Sequence, residues 1–267
     1  MDKNIFIRNK AINRLYFDEN IASKTRQINR WKHIKSLIPS KLKCYICSYE
    51  DNVNKFKEYI ALDIFEAGKL IRYECPKCNL IFGDLRFLNL SGIEISKDYQ
   101  DVYAYFQEAD TTNYIIESLK SVNCLDNKNK TYLDFACGDK NNVISRLKED
   151  GFNIYGYDKY TNNQTYVMKE LKDSKFDIIF SNNYIEHVID PINDIKYILD
   201  HLNEGGKLVL ISACFEYAIE YTHYHTFFFI GKSLEILCEK VGMRLIESKK
   251  LQFTSNDFTY VKVFEKI

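Results

Sequence analysis

The stretch Thr131-Tyr132-Leu133-Asp134-Phe135-Ala136-Cys137-Gly138 decides how this chain is read. Tyr132–Ala136 has the texture of a short, mostly apolar strand, and Val143–Glu149 behind it repeats at helical spacing. A tight turn of small residues between a strand and a helix aims the first backbone N–H groups of the helix at the space beyond the strand end. Asp134 adds a carboxylate beside that turn. Working outward, Ile154–Tyr157, Phe176–Phe180 and Lys207–Ser212 read as further strands, and Ile192–Leu202 and Lys232–Val241 as helices. Gly205-Gly206 makes a turn into the Lys207 strand, and Arg244–Lys249 and Phe258–Phe264 supply two closing strands. Alternation of this kind implies an α/β fold, a parallel sheet wrapped by helices. In such a sheet ligands bind outside the carboxyl ends of the strands, where strand order reverses, so residues just after each strand are the candidates for function.

Gly156-Tyr157-Asp158 ends the second strand, 24 residues after Asp134. An acid at that place can accept both hydroxyls of a ribose. Taken by themselves, Asp134 and Asp158 also suit a nicotinamide enzyme, but no G-x-G-x-x-G follows the first strand. The blocks Leu133–Gly138, Gly156–Asp158, Phe176–Asn183, Tyr184–Pro191 and Leu202–Leu208, in that order, resemble the class I S-adenosylmethionine-dependent methyltransferases over most of residues 131–249. The resemblance implies a doubly wound, Rossmann-like, seven-stranded sheet that binds S-adenosylmethionine. It places Asp134 and Gly138, with Ala136 in the same turn, at the methionine and sugar portions, Asp158 at the ribose, and Asn182 and Asn183 at the methionyl end. Ala136 stands where the family usually has its first glycine and Lys140 where it usually has its third. The interval from Asp158 to Phe176 is short for the usual third strand.

Cys44-Tyr45-Ile46-Cys47 and Cys75-Pro76-Lys77-Cys78 supply four thiolates in two C-x-x-C pairs 27 residues apart. Doubled pairs of this kind are the usual source of tetrahedral Zn²⁺ ligation, and a closed four-sulfur site is structural because it leaves no open position. Cys124, Cys137, Cys214 and Cys238 show no ligand spacing and read as small core residues. A zinc module ahead of this fold, with Tyr73–Phe82 as its second knuckle, also resembles bacterial sugar and capsular polysaccharide methyltransferases.

Methyl transfer from a sulfonium is a direct displacement, and a hydroxyl acceptor must also lose a proton. Histidine suits proton removal because its ordinary pKa is near 6.5. His187, after the fourth strand, is the first candidate base. The segment Cys214–Phe229 mixes aromatic, acidic and imidazole groups, and within it His223 and His225 are further catalytic candidates, while Phe227–Phe229 also reads as core. The expected acceptor is a sugar, nucleotide sugar or capsule component, and Tyr221–His225 resembles methyltransferases of capsular polysaccharide assembly, where a phosphoramidate decoration is an alternative acceptor. Tyr103, Tyr105 and Glu108 are placed by fold analogy in a lid.

The expected organisation is a basic helical arm at 1–43, a zinc-binding module at 44–95 and a methyltransferase domain at 96–267 that begins with lid helices. The arm carries an amphipathic helix over Ile21–Ile38, and a second helical region runs from about Ser96 to Ser121. Eleven Lys and Arg against three acids in residues 1–43 suggest either a docking face for an anion or a solvated helix face. A formal net charge of zero over 267 residues gives no global pull toward nucleic acid, which ranks an RNA-binding methyltransferase or a non-catalytic binding module behind the carbohydrate reading. Hydrophobic content of 46% supports a folded core, and no run is long and apolar enough for a membrane span or a signal peptide, so a cytoplasmic enzyme is expected.

Overall fold

The computed structural model describes residues 21–34, 39–106, 109–138, 142–159, 166–254 and 257–267. In chain order these form α1 (Ile21–His33), β1 (Lys41–Lys43), β2 (Glu50–Asn52), β3 (Lys57–Leu62), β4 (Lys69–Glu74), β5 (Ile81–Gly83), α2 (Leu85–Leu88) and α3 (Gly92–Tyr103). Then follow α4 (Thr112–Ser121), β6 (Thr131–Phe135), α5 (Val143–Glu149), β7 (Asn153–Tyr157), β8 (Val167–Met168), β9 (Phe176–Asn182), α6 (Pro191–Asp200) and β10 (Leu202–Ser212). The chain closes with β11 (Phe227–Phe228), α7 (Ser233–Val241), β12 (Met243–Thr254) and β13 (Asp257–Lys266). It divides into two compact units, Met1–Glu108 with Cys214–Leu234, and Ala109–Ala213 with Glu235–Ile267. The boundary read from sequence at residue 96 falls inside α3.

The second unit, here the sheet unit, is built on seven strands in the order β12-β13-β10-β9-β6-β7-β8. From β10 to β8 all neighbours are parallel, while β13 and β12 are antiparallel additions. The doubly wound α/β architecture is therefore present, with seven strands. Its core fills one face of the sheet with Tyr132, Ile154, Ile178, Phe180, Val209 and Val263, against Ile115 and Leu119 of α4 and Val143 and Leu147 of α5. The short interval after Asp158 does hold a third strand, the two-residue β8. β10 starts at Leu202 rather than Lys207, and its register with β9 shifts between those two residues, so Gly205, at φ 70°, sits in an irregularity within the strand instead of ahead of it.

The first unit, the cysteine-rich unit, holds a four-stranded antiparallel sheet in the order β11-β5-β4-β3 and a small β1-β2 pair. Phe227, Phe228 and Phe229 are buried, which makes them core, and the first two pair with Phe82 and Ile81. The helix expected to run to Ile38 is described to His33, and Ile38 lies outside the described residues, as do residues 1–20 of the basic arm. The helical region expected from Ser96 to Ser121 is two helices, each with its own start signal. Ser91 and Glu94 form a reciprocal capping box at α3, and Asp110 accepts from the Thr112 backbone N–H (2.9 Å) and hydroxyl at the start of α4. Among the described residues no helix is long and apolar enough to cross a membrane.

Candidate active site and metal centre

In the sheet unit the chain runs outward through β6, β7 and β8, then returns to the other side of β6 to continue through β9 and β10. Strand order thus reverses at β6, and the crevice beyond its carboxyl end is the place where such sheets take ligands. Asp134, Ala136 and Gly138 end or follow β6, Asp158 follows β7, and Asn182 and Asn183 end β9, so the fold puts all six expected cofactor residues at that edge. The described part of the turn keeps the shape of a glycine loop although Ala136 stands in place of its first glycine. Ala136 at φ 58° and Gly138 at φ 61° both hold the left-handed region, and the Gly138 N–H donates to Asp158 Oδ2 at 3.1 Å, tying the first turn to the second. Gly156 is required by packing, because a Cβ there would lie 2.4 Å from Ile144 Cδ1 and 3.0 Å from Cys137 Sγ. Asn183, at φ 50°, donates its N–H to the Ile211 carbonyl at 2.8 Å, which turns the chain sharply at the end of β9.

Asp134 is 1% exposed and its Oδ2 has no hydrogen-bond partner, and Asn182 Oδ1 is also buried and unpartnered. Burial, reinforced by the charge of Asp158, holds the Asp134 carboxyl well above the ordinary range. Two buried acceptors and an uncompensated acid are what a ligand bringing N–H donors and positive charge would satisfy. S-adenosylmethionine carries both, as an ammonium and a sulfonium, so the residues present fit it. Lys140, the other departure from the family pattern, lies outside the described residues.

Two features here escaped the sequence. Glu186 is 1% exposed, accepts from Ser212 Oγ at 2.8 Å, and is pushed up to about 7 by burial. Ser181 Oγ is buried without a partner. Glu186 was visible only as one member of a motif, since nothing local announces burial or a bond to a residue 26 positions away. His187 is half-buried in the turn after β9, with its N–H donating to the Tyr184 carbonyl at 2.8 Å.

A doubly wound sheet with an acid-and-glycine turn after its first strand, a second acid after the next and an acceptor-lined crevice between them is the fold and site of a class I S-adenosylmethionine-dependent methyltransferase. The comparisons agree: a family profile described as a methyltransferase domain matches residues 103–248, and the chain belongs to that family. Among solved structures, a Burkholderia thailandensis 1,6-didemethyltoxoflavin-N1-methyltransferase with S-adenosylhomocysteine bound is similar at 11% identity and TM-score 0.47, over 74% of this chain and 95% of that one. The magnesium protoporphyrin IX methyltransferase of Synechocystis PCC 6803 with bound SAH is similar at 15% identity and TM-score 0.42, over 59% and 82%. The CcbJ methyltransferase of Streptomyces caelestis is similar at 12% and 0.43, over 62% and 95%. No curated protein matches the sequence.

The cysteine-rich unit brings Cys44, Cys47, Cys75 and Cys78 together, with all four Sγ atoms within 4.8 Å of one another. Cys44 and Cys78 are 3.5 Å apart, as are Cys47 and Cys75. A zinc ion with bonds of about 2.3 Å to four sulfurs implies edges of roughly 3.8 Å, so the cage fits a tetrahedral metal. The two knuckles repeat one backbone design. Cys44 N–H donates to Tyr49 O and Ser48 N–H to Cys44 O, and the same pair recurs from Cys75 to Leu80 and from Asn79 to Cys75. Ser48 and Asn79 share a left-handed φ, 62° and 64°. Hydrogen bonds from Cys44 and Cys78 drive the Cys75 thiol below its ordinary range. Cys124, Cys137, Cys214 and Cys238 are all buried.

The two remaining histidine candidates have different environments. His223 is fully buried, with Nδ1 3.0 Å from Asp63 Oδ1 and Nε2 3.1 Å from Asp98 Oδ2. Burial pulls its pKa down, but the two carboxylates outweigh that and lift it to about 9. A ring that donates from both nitrogens has no lone pair to take a proton, so the expectation that His223 is a catalytic base is corrected: it is an imidazolium that holds the unit together. Nδ1 of His225 lies 2.9 Å from the Ile219 carbonyl, which can only accept, so Nδ1 carries the proton and the lone pair resides on Nε2. Burial lowers His225 to about 4, keeping it neutral.

Two other expectations also change. Tyr105 is buried, with its hydroxyl donating to Gln27 Oε1, so it is packed in the cysteine-rich unit rather than set in a lid. Tyr103 is 45% exposed, and Glu108 lies outside the described residues. The described basic residues of α1 are largely spent on partners: Lys24 pairs with Glu66, Arg26 with Asp101, and Arg30 with Asp98 and Asp101. That weakens the anion-docking reading of the arm.

Proposed function

We propose that this S-adenosylmethionine-dependent methyltransferase methylates an oxygen of a sugar, nucleotide sugar or capsular polysaccharide component, including a phosphoramidate decoration on such a polymer. The observation that carries the reading is His225, a neutral ring with its tautomer fixed by the Ile219 carbonyl, in a segment that also presents Glu216, Tyr217, Glu220 and Tyr221. Rings and hydrogen-bonding groups interleaved in this way suit a polyhydroxylated acceptor. S-adenosylmethionine, when bound, supplies an electrophilic methyl group on a sulfonium. Asp158 takes the ribose hydroxyls, Asp134 and Asn182 take donors at the methionyl end, and Ala136, Gly138 and Asn183 shape the cleft. His187 removes the acceptor proton, or His225 does so through Nε2. A hydroxyl needs that proton taken, whereas an anionic phosphoramidate oxygen does not.

In the same reading the four cysteines of the 44–95 module hold a structural Zn²⁺, and the enzyme works in the cytoplasm. The test is transfer of labelled methyl from S-adenosylmethionine to a panel of sugar phosphates, nucleotide sugars and capsular oligosaccharides, with RNA and amine acceptors as controls and products read by mass spectrometry. Methylation at oxygen of a carbohydrate is expected, and transfer only to RNA or to nitrogen contradicts it. Replacing His187 and His225 singly by Asn then separates the acceptor types. Unchanged turnover in both variants removes the general base from the account.

A further inference from the structure

Arg72, on β4, is fully buried and forms no ion pair among the described residues. Its guanidinium instead donates to backbone carbonyls of one irregular stretch: Nη1 to Glu220 (2.6 Å), Nη2 to Thr222 (2.6 Å) and His225 (3.0 Å), and Nε to His225 (3.1 Å). The ring of Phe228 lies 5.2 Å from its central carbon. Burying a cation that is met mainly by peptide dipoles, helped by the Tyr217 side chain and the charge of Asp84, is costly, so the arrangement has to return something for it.

What it returns is a set of donors for three of that stretch's carbonyls. Residues 220–226 form neither helix nor strand, so their carbonyls have no ladder to pair with. The Ile219 carbonyl accepts from His225 Nδ1, Tyr221 from the Ile64 N–H (2.9 Å) and Thr226 from the Gly83 N–H (3.0 Å). The Glu220, Thr222 and His225 carbonyls converge on Arg72, and Thr222 also accepts from the His225 N–H (3.3 Å). A planar fork with five N–H donors can meet three converging oxygens, which an ammonium on a flexible stem does poorly. Asp63 and Asp98 fix the intervening His223, so the turn is also pinned between the arginine contacts.

We infer that Arg72 is a positioning residue for the acceptor step, its guanidinium acting as the template on which the Glu220–His225 turn is built and the His225 ring is aimed. The role in the reaction rests on the reading that this segment meets the acceptor, while the templating itself does not. The closing experiment therefore uses readouts that need no acceptor: hydrogen exchange by mass spectrometry and the ring resonances of the five histidines, on wild type, Arg72→Lys and Arg72→Ala, the last with and without added guanidinium ion. In both variants amide protection over residues 219–226 falls by about tenfold or more and the His225 ring signals shift, while metal content, S-adenosylmethionine affinity and the His187 and His201 signals stay at wild type. Guanidinium restores protection in Arg72→Ala.

Protection retained in Arg72→Lys, or lost evenly across β3 and β4 without guanidinium rescue, overturns the template. If neither variant folds, the wild-type side chain decides: slow exchange of the Arg72 guanidinium protons supports the assignment, and exchange as fast as that of the 59% exposed Arg26 overturns it. Once a carbohydrate acceptor is found, Arg72→Lys raises its KM and leaves the KM for S-adenosylmethionine unchanged. If templating holds and that KM does not move, the acceptor reading has failed and the template has not.

Discussion

The cofactor edge of the sheet unit and the Glu220–His225 turn of the cysteine-rich unit are both irregular backbone carrying acidic and polar groups, yet they are held in different ways. The cofactor turn is stabilised by near neighbours and by its own conformations: Ala136 and Gly138 in the left-handed region, Gly138 bonded to Asp158, and Gly156 making room for Cys137. The 220–225 turn is held from a distance, by Arg72, Asp63 and Asp98, which are 125–160 residues away in sequence. A ligand site that leaves buried acceptors open suits the first kind of construction, and a site that must present a fixed ring suits the second.

Losing the four-cysteine cluster, with the zinc proposed for it, should separate the two regions most sharply. Zinc in a four-cysteine cage contributes on the order of 10–16 kcal/mol to folding a small module. Cys78→Ser, or chelation, is expected to abolish stoichiometric zinc and to raise hydrogen exchange across the cysteine-rich unit, the 219–231 segment included, while β6, β7 and β9 keep their protection. Collapse of both regions together would break the comparison. Next in size is Gly156→Ala, which forces a Cβ against Ile144 and Cys137 and should cost about 1–3 kcal/mol in thermal stability, with weaker cofactor binding.

A smaller effect follows from His223. Its folded pKa of about 9 lies above the ordinary value near 6.5, so the folded state binds the proton more tightly than the unfolded chain. The resulting stabilisation is fully present below about pH 6.5 and is lost as pH rises through about 9. Melting temperature between pH 7 and 10 should fall more steeply in wild type than in Asp63→Asn. Equal slopes would remove the imidazolium from the account of this unit. Lys24→Ala marks the small end of the scale, because the Lys24–Glu66 pair is partly exposed and its loss should change stability by no more than about 0.5 kcal/mol in chemical denaturation.

The same contrast explains what the sequence disclosed. The cofactor edge was legible because its signals are local: a strand, small residues and an acid, then a second acid 24 positions on, each marking a strand end. The cysteine knuckles were legible for the same reason. His223 and His225 looked alike on paper, as two imidazoles separated by one residue, and only distant carboxylates made one an imidazolium while burial keeps the other neutral. Arg72 gave no sign at all in a strand reading Lys-Leu-Ile-Arg-Tyr-Glu, because its partners are carbonyls that any residue possesses. The break between α3 and α4 could have been found from Ser91 with Glu94 and from Asp110 ahead of Thr112, signals that the apolar periodicity overrode.

Calorimetric titration with S-adenosylmethionine tests the central claim most directly. Wild-type protein is expected to bind it, to ignore NAD, and to lose about 1.5–3 kcal/mol of binding free energy, roughly ten- to a hundredfold in affinity, in Asp158→Ala. Failure of folded wild type to bind S-adenosylmethionine, or undiminished binding by Asp158→Ala, would contradict it.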